Sequence, residues 1–123
     1  MANTWAFAGM MDHIRSELTQ HQKIVVAYGL QQVILRSPVD KGAYRSNHRV
    51  SIGSKDDGYD VNDTSNNALQ RGLSEVSRIT VPFTTAYIQN NLPYAQKLEQ
   101  GGSQQAPNGI YRLAANDIAE RYG

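Results

Sequence analysis

Few side chains in this sequence have the type and spacing for chemistry. His13, Glu17 and His21 recur at four-residue steps, so a helix would align them on one stripe as imidazole and carboxylate ligands for a transition metal. One helix closes such a site poorly, the remaining ligands would have to come from elsewhere, and the order His-Glu-x-x-His is missing. A solvated helix face is the expectation, and no metal site is assigned. His48 alternates with polar neighbours on the side of Val50 and Ile52, the pattern of a partly buried histidine with satisfied nitrogens. Asp56 and Asp57, close to Gly58 and Asp60, lack the order of a calcium-binding hand. Glu99 is read as a helix-end hydrogen-bond acceptor or half of an intersubunit ion pair rather than a general acid. Gly101-Gly102-Ser103 has no lysine in phosphate-loop spacing and reads as a flexible joint, and no Gly-x-Ser-x-Gly elbow is present. No catalytic residue, cofactor or metal is expected, and the chain is read as a non-enzyme.

The elements that would carry these residues follow from periodicity. Met11, Ile14, Leu18, Val25 and Tyr28 recur at three- and four-residue steps, and Leu30, Val33 and Ile34 widen the stripe, predicting a helix. Its start lies between Thr4 and Asp12. Pro38 ends it, because the residue before a proline is pushed out of the α region; from Asp12 to Arg36 it would be ~37 Å long at 1.5 Å per residue. Val39-Asp40-Lys41-Gly42 is a tight turn with Gly42 free to take positive φ. Alternation predicts a half-buried strand over 47–53 and a second over 84–90. Between them, 54–67 is a polar loop expected to be mobile, and Leu69, Leu73 and Val76 mark a short crossover helix. Pro82 demotes its neighbours to an edge or linker. A helical turn over 94–100 stops at Gly101-Gly102, and Pro107 opens a last helix with Ile110, Leu113, Ala114 and Ile118 on one face. The predicted fold class is α+β: a long N-terminal helix and a C-terminal helix on a small β-sheet, with a short crossover helix, in one domain.

Composition bounds the function. A length of 123 residues is one domain's worth, burying roughly 65% of its unfolded surface with modest reserve. There is no cysteine, which excludes disulfides, thiolate metal sites and cysteine nucleophiles. No signal peptide is read in the first residues, and no apolar run approaches the ~20 residues of a membrane span. Net charge is +1, but its distribution is uneven: Arg36, Lys41, Arg45, Arg49 and Lys55 face only Asp40 in sequence, and Asp56, Asp57, Asp60 and Asp63 follow without a cation. Two readings arise. Arg45 and Arg49 of one copy could meet Asp56, Asp57 or Asp60 of the next in a head-to-tail contact, or the basic 36–55 segment could be turned towards DNA, as in a DNA-binding regulatory module. Tyrosines outnumber the other aromatics, and Tyr44, Tyr87, Tyr94, Tyr111 and Tyr122 fall at turns or element ends, where their mixed character suits interfaces or the rim of a core. Tyr94, fixed by Pro93, is the leading interface candidate.

Three blocks carry a family likeness: Ser37-Pro38-Val39-Asp40-Lys41-Gly42-Ala43-Tyr44-Arg45, then Asn90-Asn91-Leu92-Pro93-Tyr94-Ala95-Gln96-Lys97-Leu98-Glu99-Gln100-Gly101-Gly102, then Gln105 to Ala114 around Pro107. In order and spacing they resemble the small tail-component proteins of tailed bacteriophages, at the neck or tail-completion position. The resemblance implies a structural virion protein at the head-tail junction, assembled in the host cytoplasm. It implies a homo-oligomeric ring, a hexamer, around genomic DNA that passes without sequence-specific contact. One face would meet a head-side connector or head-closure protein, the other the tail terminator or tail tube. The matched positions Pro38, Val39, Asp40, Gly42, Asn90, Asn91, Leu92, Pro93, Tyr94, Ala95, Glu99, Gly101 and Pro107 take turn, corner and packing roles. The 54–67 insert and the short end after Tyr122 fall outside the likeness.

Overall fold

The computed structural model describes residues 4–39 and 42–123; Asp40 and Lys41, and with them the centre of the expected turn, lie outside the described residues. The fold is α+β, as the periodicity predicts. Helix α1 runs Thr4–Leu35 and is followed by a single turn, α2, at Ala43–Ser46. Strand β1, His48–Ile52, pairs antiparallel with β2, Ala86–Asn90, in a register that sets His48 opposite Asn90 and Ile52 opposite Ala86. Helix α3, Ala68–Val76, forms the crossover, α4 is the short Ala95–Glu99, and α5 closes the chain at Tyr111–Tyr122. Among the described residues no helix is long and apolar enough to cross a membrane.

A two-stranded sheet is marginal alone, so it must be covered. The second half of α1 does this, with Leu30 and Val33 buried alongside Val50, Val76, Ile79, Leu92, Ile110 and Ala114. Close approach depends on two small residues. A Cβ on Gly29 would lie 2.9 Å from Ile118 Cδ1 and 3.0 Å from Ile88 Cδ1, and one on Gly72 would lie 2.3 Å from Leu30 Cδ2. Glycine at these points lets α1 seat against α5, β2 and α3 at once. The stripe of α1 then outruns its cover: Tyr28 lies against α5, whose Tyr122 ring stands edge-on to Tyr28 and His21, whereas Ile14 and Leu18 remain exposed.

Two boundaries and one loop differ from expectation. The second strand begins at Ala86 rather than Thr84, because the Gln22 amide holds both the N–H and C=O of Thr84. The last helix begins at Tyr111 rather than at Pro107, because the acceptor for its first N–H groups, Glu99, lies there. The 54–67 loop, expected to be mobile, is stapled to the sheet by side-chain amides. Asn47 Nδ2 donates to Asp60 O at 2.8 Å while its Oδ1 accepts from Asp60 N at 2.9 Å, and Asn91 Nδ2 donates to the carbonyls of Asp56 and Gly58.

Candidate functional site

Residues of the first sequence block meet residues of the second and third, which adjoin in the chain, around His48. The imidazole is completely buried. Its Nε2 lies 2.6 Å from Ser37 Oγ, and Ser37 Oγ donates its own proton to Val33 O at 2.5 Å. Having spent that proton, the hydroxyl can only accept from His48, so Nε2 carries the hydrogen and Nδ1 the lone pair. Tyr111 Oη, 2.7 Å from Nδ1, is therefore the donor on the other side. Tyr44 stands edge-on to the ring with centroids 5.0 Å apart, and its carbonyl accepts from Asn90 Nδ2 at 2.8 Å. Burial, with the charge of Arg45 in second place, lowers the His48 pKa from 6.5 to about 3, so the ring is neutral at pH 7. Burial also pushes the Tyr111 phenol well above its ordinary value. With both nitrogens occupied and no exposure, this Ser37–His48–Tyr111 chain holds α1, β1 and α5 together; it does not present a nucleophile.

Glu99 supplies the second joint. Its Oε1 accepts from the N–H of Ile110 at 3.0 Å and Tyr111 at 2.8 Å, and Oε2 from Arg112 N at 3.0 Å. A carboxylate from α4 thus satisfies the first donors of α5 and lies at the positive end of its dipole. Burial pushes this carboxyl up, but the N–H groups of Arg112, Tyr111 and Ile110, with the Arg112 charge, outweigh it and hold the group below its usual range. This is the helix-end role expected of Glu99, realised on the following helix rather than its own. Gln105 Oε1 accepts from Val39 N at 2.9 Å and ties the first block to the third.

The remaining matched residues fall around this knot. Pro38 and Leu92 are buried, Val39, Pro93, Tyr94 and Pro107 are exposed, and Ala95 is half-buried. Gly42 takes φ 82° and Gly101 φ 90°, the left-handed backbone that glycine adopts without penalty. Pro38, Tyr44, Tyr94 and Leu98 wall an open cavity of about 390 Å³.

The charged segments are arranged differently from expectation. Arg49 Nη1 meets Asp56 Oδ2 at 3.2 Å within the same chain, so the pairing expected between copies is made internally: the loop folds back over β1 and brings the two together. Asp60 Oδ1 accepts from Asn62 N, Arg45 donates to Ile34 O at 3.2 Å, and Asp57 is exposed. Arg36 pairs with Asp117 at 2.7 Å, and Lys55 lies over the Tyr87 ring. Four of the five cations of the 36–55 segment are thus engaged inside the molecule; Lys41 lies outside the described residues. His13 pairs with Glu17 at 3.1 Å while His21 turns to Tyr122, and among the described residues no three His, Asp or Glu side chains group as a metal site would require.

Tyr44 and Tyr111, read as interface or core-rim residues, take the core role and serve the buried knot. Sequence reading missed one feature. Phe83 adopts φ 61° and is 87% exposed, an uncommon backbone for a bulky residue, held there by the Gln22 clamp on Thr84. Its only sequence signal is an aromatic directly after Pro82.

No protein-family model matches the chain, and comparison with curated proteins and with solved structures gave no match.

Proposed function

We propose that this chain is a structural virion protein, a tail-completion or neck component whose copies form a ring, expected to be a hexamer, joining a phage tail to the DNA-filled head. The observation that supports this reading is the meeting of the first phage-like block with the adjoining second and third in one knot, whose polar side chains bond one another and nearby backbone and around which Val39, Pro93 and Tyr94 are exposed. Such an arrangement suits a part that must present fixed surfaces to neighbours. The exposed apolar residues Ile14, Leu18, Val81 and Phe83 supply further surface that assembly would cover. On this reading the chain meets a head-side connector or head-closure protein and the tail terminator or tube, with DNA passing without base-specific contact. The engagement of Arg36, Arg45 and Arg49 within the chain weighs against a free DNA-binding regulator.

The test is complementation. In a host producing particles that lack this chain, supplying it should restore joined, infectious particles, with the labelled protein at the head-tail junction in electron micrographs. Joined particles formed equally well without it, or label absent from the particle, would defeat the reading. Salt-dependent binding of the free protein to short duplex, falling steeply between 50 and 200 mM salt, would favour the DNA-binding alternative.

A further inference from the structure

We infer that Asn108–Gly109 is a self-modification site held shut by the fold: the Glu99 clasp keeps the asparagine intact, and when it opens the Gly109 nitrogen converts Asn108 to isoaspartate, after which the clasp does not close again. The modification is independent of any role in a particle neck.

Of the asparagines, Asn108 alone precedes a glycine. With no Cβ on the following residue to shield it, the main-chain nitrogen can reach the asparagine Cγ, and an attack within one dipeptide is strongly favoured over an external one. Asn108 is exposed. Its main-chain carbonyl accepts from Arg112, while its side-chain amide has no partner among the described residues; the amides of Asn47, Asn90 and Asn91 are all bonded. In the reaction the Gly109 N–H gives its proton to hydroxide, the nitrogen bonds to Cγ, and the Cγ–Nδ2 bond breaks with ammonia leaving. Water then opens the succinimide. Opening at Cγ yields aspartate, whereas opening at the main-chain carbonyl yields isoaspartate, whose chain runs through Cβ and Cγ and whose former carbonyl is a carboxylate. Amide and water become carboxyl and ammonia, with no oxidant or reductant.

The fold opposes each step. Gly109 is buried, and its N–H donates to Ala106 O at 3.3 Å. A Cβ placed on Gly109 would lie 2.6 Å from Glu99 Oε2 and 2.9 Å from Glu99 O, so Glu99 stands against this peptide while its carboxylate holds the N–H groups of Ile110, Tyr111 and Arg112. A negative charge there disfavours loss of the Gly109 proton, burial keeps hydroxide away, and the contact blocks the rotation that ring closure needs. Reaction therefore waits for local opening of the start of α5. Isoaspartate then adds a main-chain methylene where Glu99 leaves no space. It also turns the carbonyl bound by Arg112 into a second carboxylate near that of Glu99. Tyr111, the partner of His48, belongs to the same segment, so the loosening reaches the buried knot.

The test is ageing of the full chain in warm, mildly alkaline buffer, followed by peptide mass mapping and isoaspartate-specific methyl labelling. Native wild type should keep Asn108, and wild type unfolded in denaturant should convert it before any other asparagine. Folded Glu99→Ala should convert it at least about tenfold faster than native wild type, because loss of three hydrogen bonds raises the open population. If the alanine variant does not fold, Glu99→Gln, which keeps one acceptor and no charge, takes its place. Asn108→Gln should remain unmodified in every state. Wild type aged in denaturant and then refolded should show fast hydrogen exchange at Ile110 to Arg112 in its isoaspartate fraction, whereas Asn108→Asp, which carries the charge without the extra methylene, should stay protected. Conversion as fast in native as in unfolded wild type, a Glu99 variant as slow as native wild type, or another asparagine reacting first would overturn the latched site. Full protection in the isoaspartate fraction would overturn the irreversible opening.

Discussion

Acid should loosen this protein through one residue before its carboxylates take part. His48 titrates at 6.5 when unfolded and at about 3 in the fold, burial being the main cause. A base whose folded pKa is depressed contributes stability that is complete above its unfolded pKa and is lost as pH falls towards the folded one. The window therefore runs from about pH 6.5 down to about pH 3. Below pH 6.5 the unfolded chain takes up a proton that the folded chain refuses, and one pKa unit is worth about 1.4 kcal/mol. Between pH 7 and pH 5 the loss comes to about 2 kcal/mol, and the figure is unchanged for any folded pKa below 4. The shifted carboxyls fall outside this interval, because Asp56, Asp63, Asp117 and Glu99 are held below ordinary values of 3.8 to 4.5 and lose their contribution only as pH drops past those.

The assay is denaturant unfolding of wild type and His48→Gln at pH 7, 6 and 5. Glutamine cannot satisfy both Ser37 and Tyr111 as the ring does, so the variant should begin about 1–3 kcal/mol less stable at pH 7. Its profile down to pH 5 should then be nearly flat, while wild type falls by about 2 kcal/mol, equivalent to roughly 5–10 °C in Tm. Equal slopes in the two proteins would refute the reasoning, because the proton would then be binding somewhere other than position 48.

Removing the remote cap by Glu99→Ala should destabilise by about 1–3 kcal/mol, since the N–H groups of Ile110 and Tyr111, part-buried, and of Arg112, exposed, lose their acceptor; hydrogen exchange should rise first at Ile110 to Arg112, and unchanged protection there would count against the cap. Gly72→Ala drives a methyl into Leu30 and should cost about 1–3 kcal/mol by overpacking, read as a lower midpoint with an unchanged denaturant slope. Gly42→Val should cost about 1–2 kcal/mol from positive φ alone, since the nearest neighbour of an added Cβ, Thr64 Cβ, is an unstrained 3.7 Å away; an unaltered Tm would refute the turn. Arg49→Glu should cost less than ~1 kcal/mol, the pair being partly solvated, and adding Asp56→Lys should recover most of that loss in the monomer's own melting curve.

The elements were legible where periodicity is strong. The α1 stripe, the alternation through Val50 and Ile52, and the turn glycine at 42 all depend on neighbours within a few residues. What could not be read is long-range polar bonding. Nothing near Glu99 indicates that its carboxylate serves Ile110, Tyr111 and Arg112, and nothing near Gln22 points to Thr84. The same limit explains Arg49 and Asp56: the acidic loop folds back and pairs them within the chain, and closing a loop of this length costs little extra entropy. His48 was placed on the correct face, but its full burial depends on Tyr44 and Tyr111 arriving from two other elements.

These polar joints also decide how the molecule can work. A two-stranded sheet and a modest core would leave long connections loose. Here the connections are fixed instead by side chains that bond main chain: Asn47 and Asn91 on the acidic loop, Gln22 on the Phe83 loop, Glu99 on α5 and Gln105 on Val39. Each such bond contributes only about 1 kcal/mol net, so the gain in stability is small. The gain in geometry is larger, because each amide bonding an N–H or C=O of a loop fixes both its position and its direction. A protein built this way holds its surface apolar groups on a defined frame before any neighbour arrives. The entropy of ordering those loops is met on folding, which lowers the ordering cost of any contact made on that frame.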